Sequence, residues 1–381
     1  MIDPARLAKT FDSLVRIDSI SLHEGEIMAR LAPLLENLGA SVSFDDAGKK
    51  LGGESGNLIA RLPGNGSGPP LLICAHVDTV EPGRGIVPIL ENGIFRSSGN
   101  TILGADDKSA VAVILETLSV LAEDRIPHSA LEIIFTIAEE IGLLGAKNLD
   151  YGMVHSRAGY VLDAWDPDAL ITSAPCANRI TFVVKGKSAH AGSSPEKGIN
   201  AIAAAARAIA ELSLGRVDFE TTCNVGVIEG GSATNIVPDR VLVKAEARSH
   251  DESKLARVTT VMEEAFRRAV ADTNRMIPPE IGAASVEVDI ENDYRAMRIE
   301  DDHPLVRAAV RAGASLGRTV VTKASGGGSD ANVFFSKGIP AAILGCGMAN
   351  VHTTREIVSV DDMVKSTALL LRIITNHGME G

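Results

Sequence analysis

The stretch LLICAHVD, residues 71–78, decides how this chain is read. An unbroken apolar run leads straight into His76, Val77 and Asp78. A strand that is apolar on both faces belongs to a sheet covered on both sides. The pattern recurs twice: LEIIFTIA (131–138) runs into Glu139 and Glu140, and GYVL (159–162) runs into Asp163. Helical periodicity fills the segments between, over about 107–123 and the short GLLGAKNL (142–149). Strands alternating with helices predict an α/β sheet with helices on both faces. In such a sheet, ligands bind beyond the carboxyl ends of the strands. Three strands thus deliver an imidazole or carboxylates to that edge.

Upstream, DPARLAKTFDSLVRI (3–17) reads as an amphipathic helix, and SLHE (21–24) has the capping-box spacing before a second helix through Leu38. NLIARL (57–62) is a strand, followed by the turn-rich PGNGSGP (63–69). GIVPILENGIFRSS (85–98) reads as a hairpin around Asn92-Gly93. The pattern changes near residue 178. RITFVVKG, a helix starting near Pro195, CNVGVIEG, RVLVKAEARS, a long helix capped by Asp251 and SVEVDIEND give the order β-α-β-β-α-β. That order is the ferredoxin-like signature. The α/β pattern resumes with HPLVRAAVRAGASLG, IPAAILGC and a last helix from Asp361. The expectation is a discontinuous domain, 1–177 and 298–381, interrupted by an α+β domain over 178–297.

Composition narrows the function. The chain has 381 residues, 45% hydrophobic and 23% charged, enough for sizeable cores. Lys and Arg number 37 against 49 Asp and Glu, a formal net charge of −12, which argues against nucleic-acid and anionic-membrane partners. Aromatics at 3% are too few for base-stacking platforms. Cys74, Cys176, Cys223 and Cys346 form no CxxC pair and read as buried thiols in a reducing compartment. The N-terminus lacks the basic start and apolar run of a signal peptide, and the apolar helical stretches are too short to span a bilayer. A cytoplasmic protein is expected.

His76 and Asp78, two apart on an extended strand, point to one side, which places Asp78 to hold the imidazole of a metal ligand. Asp106 and Asp107 open a helix, where they serve either as N-terminal carboxylates or, through one of them, as a bridge between two ions. Glu139 and Glu140 repel each other on leaving an apolar strand; a cation relieves that repulsion, and a general base exploits the raised pKa. Asp163 adds an acid at the same edge. Gly326-Gly327-Gly328 allows close backbone approach, Ser329 or Asp330 caps a short helix, and His352 follows an apolar strand as a second imidazole. Two histidines among several carboxylates suit two divalent ions, which in such sites lie about 3.5–4 Å apart. Competing motifs fail: a P-loop ending at Gly186-Lys187-Ser188 needs glycine where Thr181 stands, GNGSGPP has the wrong spacing for a dinucleotide fingerprint, and G-x-S-x-G is absent.

At this point the sequence closely resembles the dizinc exopeptidases related to peptidase T. They form family twenty of the metallopeptidases, with glutamate carboxypeptidases, succinyl-diaminopimelate desuccinylase and aminoacylases. The matching segments are AHVDTV, TILGADDKSAVA, FTIAEEIGLLGAKNLD, VLDA, KGKSAHAGSSPEKGINAI, GGSATNIVPD, AEARS, GGGSDANVF and GMANVHTTREI, in family order. The resemblance implies a zinc-exopeptidase-like three-layer catalytic domain with an inserted ferredoxin-like lid and dimerisation domain. It implies that His76 and Asp163 bind one ion and Glu140 and His352 the other. Asp106 bridges both and precedes a non-prolyl cis peptide. Asp78 orients His76, and Glu139 is the general base toward a water between the metals. His190 in the inserted domain stabilises the oxyanion, often across a dimer, while Asn235 and Arg248 hold substrate and Gly327 and Gly328 line the pocket. Ser109-Ala110 departs mildly from the small residues of relatives and touches no ligand position. The implied metals are two divalent ions, zinc first, with cobalt or manganese as alternatives. The implied activity is a tripeptide aminopeptidase acting on short peptides as a homodimer. A carboxypeptidase or N-acyl amino acid deacylase, and a non-catalytic binding homologue, stay open.

Overall fold

The computed structural model describes residues 1–66 and 68–379; Ser67, within the turn-rich segment 63–69, lies outside them. The chain divides into two compact units, Met1–Ala174 with Met297–Gly381, and Pro175–Ala296.

The first unit is built on a nine-stranded mixed sheet. Leu71–His76 sits at its centre, parallel to Leu131–Thr136 on one side and Gly159–Ala164 on the other. Ala341–Gly345 continues the parallel set beyond Gly159–Ala164. Every residue of Leu71–His76 and Leu131–Thr136 is buried, as continuous apolar runs require in a doubly covered sheet. The helix Ala105–Glu123 is buried almost throughout, so it carries little amphipathic asymmetry. It packs with the helices Pro4–Val15 and Val360–Met379. The strand Ala169–Ala174 also belongs to this sheet and was not legible as a separate element. The hairpin Pro88–Glu91 and Ile94–Ser97 turns at Asn92 and Gly93 with φ of 51° and 78°, the left-handed pair that a two-residue turn needs. No described helix is long and apolar enough to cross a membrane.

Two local expectations are corrected. The helix Gly25–Asn37 starts without any side-chain cap, so SLHE is not a capping box; Ser21 and Glu24 are used elsewhere. Pro195 opens only a 3-10 turn, Pro195–Lys197, and the α-helix begins at Ala201, capped by Asn200 through the Ala203 N–H.

The second unit is a five-stranded antiparallel sheet in the order Gly215–Arg216, Thr221–Gly230, Arg240–Ser249, Cys176–Lys185, Ser285–Tyr294. The helices Ala201–Glu211 and Glu252–Arg275 pack on it. Asp251 caps the longer helix by accepting from the N–H groups of Ser253 and Lys254. Phe182 stacks on Phe266 at 3.8 Å in its core.

Gly159 opens a central strand hard against its neighbour. A Cβ there would lie 2.1 Å from the Leu72 carbonyl oxygen and 2.4 Å from Leu72 Cβ. Backbone cannot move aside as a flexible side chain does. Gly159→Ala is expected to cost roughly 1–3 kcal/mol, read as a lowered midpoint in urea denaturation. An unchanged midpoint would show that the strands have room to separate.

Candidate metal centre

Strand ends and loops of the first unit bring His76, Asp78, Asp106, Glu139, Glu140, Asp163 and His352 to the carboxyl edge of the sheet. His76 ends its strand with Nε2 3.1 Å from Asp106 Oδ1. His352 Nε2 lies 3.3 Å from the other Asp106 oxygen, Oδ2, and 2.9 Å from Glu140 Oε2. The two oxygens of one carboxylate thus face two different imidazoles. That is the arrangement a bridging carboxylate needs. The Asp106–Asp107 peptide is cis. His76, Asp106 and Glu140 each offer a ligand atom within 4.8 Å of the others, and so do His76, Asp107 and Asp163. Oxygen and imidazole donors in this number suit divalent ions such as zinc.

A set of polar side chains braces these groups. The Glu139 N–H donates to Asp78 Oδ1 at 2.9 Å and the Glu140 N–H to Asp78 Oδ2 at 3.2 Å. Asp78 therefore fixes the turn that carries both glutamates. Its contact to His76 runs first through its backbone carbonyl, 3.0 Å from Nδ1, with the carboxylate at 3.5 Å. The Ser21 hydroxyl donates to Asp78, and Glu24 accepts from the Ala138 N–H at 3.0 Å. Glu356 accepts from three backbone amides at and before Asp106: Leu103 at 2.7 Å, Gly104 at 2.8 Å and Asp106 at 2.9 Å. Lys108 is wholly buried and donates to the Ile17 carbonyl. Ser329 caps the helix Asp330–Ser336 and bonds Asp163, while Thr136 donates to the buried Asp330.

Sequence reasoning found Asp78 and the Ser329 cap in this bracing layer but missed Ser21, Glu24, Lys108 and Glu356. Ser21 and Glu24 carried a signal, since SLHE is polar and precise in spacing, but the spacing suggested a helix cap. Glu356 stands four residues after His352, and nothing in its local pattern marks it as buried.

Electrostatics show why the site calls for cations. Burial pushes the carboxyls of Glu139, Asp163 and Asp107 well above the ordinary range, and the neighbouring acids add to it. Glu140 is raised in the same way. His352 is lifted to about 10 by its hydrogen bonds to Asp106 and Glu140. Burial opposes charge on His76, but Asp106 and Asp78 outweigh it and raise the imidazole. Positive charge is wanted at both ends of Asp106, which fits a pair of metal ions.

The remaining candidates lie elsewhere. Gly327 donates to the Ser325 hydroxyl just before the helix Asp330–Ser336, with Gly328 beside it in the first unit. His190, Asn235 and Arg248 belong to the second unit. The His190 and Asn235 loops pair with each other: the Ala191 N–H donates to the Asn235 carbonyl, and His190 bridges to Ile236. His190 Nδ1 accepts from Gly192 and Ser193, and the residue is exposed. Arg248 is paired with Glu246 at 2.9 Å, and its Nε is buried without a hydrogen-bond partner among the described residues.

The sequence model of peptidase family M20/M25/M40 matches residues 72–376. An uncharacterised protein of Bacillus subtilis, YqjE, is 40% identical, over 98% of this chain and 99% of its own. A crystallographic tripeptidase from Staphylococcus aureus superposes with a TM-score of 0.92 at 37% identity, covering 99% of both chains. The aminopeptidase PepT from Bacillus cereus superposes with a TM-score of 0.86 at 39% identity, again over 99% of both.

Two outcomes are expected. Adding zinc to chelator-treated protein should raise its unfolding midpoint, since an ion that binds only the folded chain stabilises by about 2.7 kcal/mol at a hundredfold excess over Kd. A midpoint indifferent to zinc would remove the metal assignment. The second concerns Glu24, which burial raises from 4.5 to about 7. The folded chain keeps this carboxyl protonated while the unfolded chain ionises it. Stability is therefore lost as pH rises from about 4.5 to about 7 and is level above that. Glu24→Gln should gain on wild type across that window in urea denaturation. A gap independent of pH would mean that Glu24 ionises normally.

Proposed function

This chain belongs to peptidase family M20/M25/M40, and from that membership we propose that it is a zinc-dependent aminopeptidase acting on short peptides, tripeptides above all. The peptidase class follows from the family; the substrate end and length are our assignment. One observation carries it. Asp106 aims its two oxygens at His76 and His352, and the buried Glu139 carboxyl stands at the same edge. The names of the Staphylococcus aureus and Bacillus cereus neighbours, tripeptidase and aminopeptidase, support the choice of substrate.

In this proposal His76 and Asp163 would hold one ion, Glu140 and His352 the other, and Asp106 would serve both. Two divalent ions held there would supply Lewis acidity toward the scissile carbonyl and the attacking water. Glu139 takes the proton from that water on its carboxylate oxygen and gives it to the leaving amine nitrogen. The raised affinity of its carboxyl for a proton suits it to the first half of this transfer, and its burial keeps bulk water from intercepting the proton. Asp78 holds the Glu139 backbone, so the base is fixed relative to His76. His190 is assigned to the oxyanion, Asn235 and Arg248 to substrate, and Gly327 and Gly328 to the pocket wall. An arginine fork pairs well with a peptide carboxylate. The proposal includes a cytoplasmic homodimer joined through residues 178–297.

Glu139→Gln is expected to cut tripeptide turnover on the order of 10²–10⁴-fold while bound zinc, counted by plasma mass spectrometry, stays the same. Equal turnover in both proteins would remove Glu139 as the base. Mass spectrometry of products from free, N-blocked and C-amidated tripeptides tests the substrate end. Loss of the first residue only when the amine is free supports the aminopeptidase. Release of the last residue from N-blocked substrates moves the chain to the carboxypeptidases or deacylases.

A further inference from the structure

A second pocket lies at the opposite edge of the same sheet. It opens where Leu71–His76, Gly159–Ala164 and Ala341–Gly345 begin, with Leu71, Tyr160 and Pro340 in its lining. The strand from Leu71 to His76 separates it from the metal centre by roughly 16 Å, at 3.3 Å per residue. Its volume is about 470 Å³, inside the range of about 300–1,000 Å³ typical of small-molecule sites.

The charge of its lining runs against the composition of the chain. Arg157, Arg307, Arg311, His303 and His377 line it, and none of its described lining residues is Asp or Glu. This occurs in a protein whose net charge is −12. Arg307 and Arg311 stand four apart on the helix Pro304–Ser315 and share one face with Pro304 and Ala308. Arg157 comes from the loop before Gly159. Among the described residues neither Arg157 nor Arg307 has an ion-pair partner, and both are exposed. The pocket walls are held by hydrogen bonds. His377 Nε2 is 2.9 Å from the Pro69 carbonyl, His303 Nδ1 accepts from the Leu305 N–H, and the Tyr160 hydroxyl donates to the Leu305 carbonyl at 2.6 Å. The floor is apolar, formed by Leu71, Leu305, Pro340 and Ile373 with the ring of Tyr160.

We propose that this pocket is a binding site for a small organic oxyanion, a carboxylate or phosphate ester with an apolar body, held by Arg157 and Arg307. Guanidinium forks match the planar or tetrahedral oxygens of such groups and bind them bidentately. A volume of this size exceeds what a bare inorganic ion fills, and the apolar floor gives the remainder of the ligand a surface to cover. The site is independent of the metal centre and of the substrate assignment.

The test is isothermal titration calorimetry on the zinc-loaded protein, with phenyl phosphate, benzoate and the neutral benzyl alcohol as probes. At least one oxyanion should bind one-to-one, more weakly as salt rises, with benzyl alcohol silent. Arg157→Gln combined with Arg307→Gln should weaken that binding at least tenfold and leave tripeptide turnover unchanged. Both side chains are exposed, so the fold should survive, and Arg157→Lys with Arg307→Lys should recover part of the affinity. Preference for benzoate or for phenyl phosphate identifies a carboxylate or a phosphate ligand, and either supports the site. Equal binding by wild type and the glutamine variant would place the probe elsewhere, the metals included, and would overturn the proposal. Absence of saturable binding to wild type would overturn it too.

Discussion

The repulsion among acids at the carboxyl edge of the central sheet is the constraint on which the rest depends. Asp106, Asp107 and Glu139 are buried, Asp163 is half-buried, and the carboxyls feel neighbouring acids' charges. An isolated carboxylate at that depth would be neutralised by a proton. Here two imidazoles face the one carboxylate of Asp106, Asp107 accepts from the His76 amide, and Asp163 is hydrogen-bonded by Ser329. Dispersing them would forfeit the binding of cations; keeping them together demands a rigid frame.

That frame explains the distribution of polar groups inside the apolar body. Asp78 holds two consecutive amides of the Glu139-Glu140 turn, Glu24 holds the amide just before it, and Glu356 holds three amides at and before Asp106. Each accepts backbone N–H bonds on a side-chain oxygen, which satisfies those amides away from water. The bracing residues come from segments distant in sequence, so the site is rigid only when the whole first unit is assembled.

The central strands and the edge they reach were legible because apolar runs in a doubly covered sheet are continuous, and each ends abruptly in a charged residue. LLICAHVD and LEIIFTIAEE show both the strand and the edge it reaches. The ferredoxin-like order of the second unit was legible from the spacing of alternating strands and two long helices. What was not legible depends on partners far along the chain. SLHE matches a cap by spacing, yet its serine and glutamate meet Asp78 and Ala138. Glu356 looks like a surface residue beside Arg355, and only its three amide partners make it internal. Pro195 signals a helix start, but the turn it opens closes after Lys197 and the helix waits for the Asn200 cap.

The grip of Glu356 on residues 103–106 joins points separated by about 250 positions of chain. It bears on the order of events at the ribosome. A nascent chain that has made Asp106, Glu139 and Asp163 still lacks both the clamp on residues 103–106 and the second imidazole, since His352 and Glu356 come far later in the sequence. The early part of the chain thus carries a concentration of acid without the means to fix it. A polypeptide that stops short of His352 and Glu356 does not assemble this edge of the sheet.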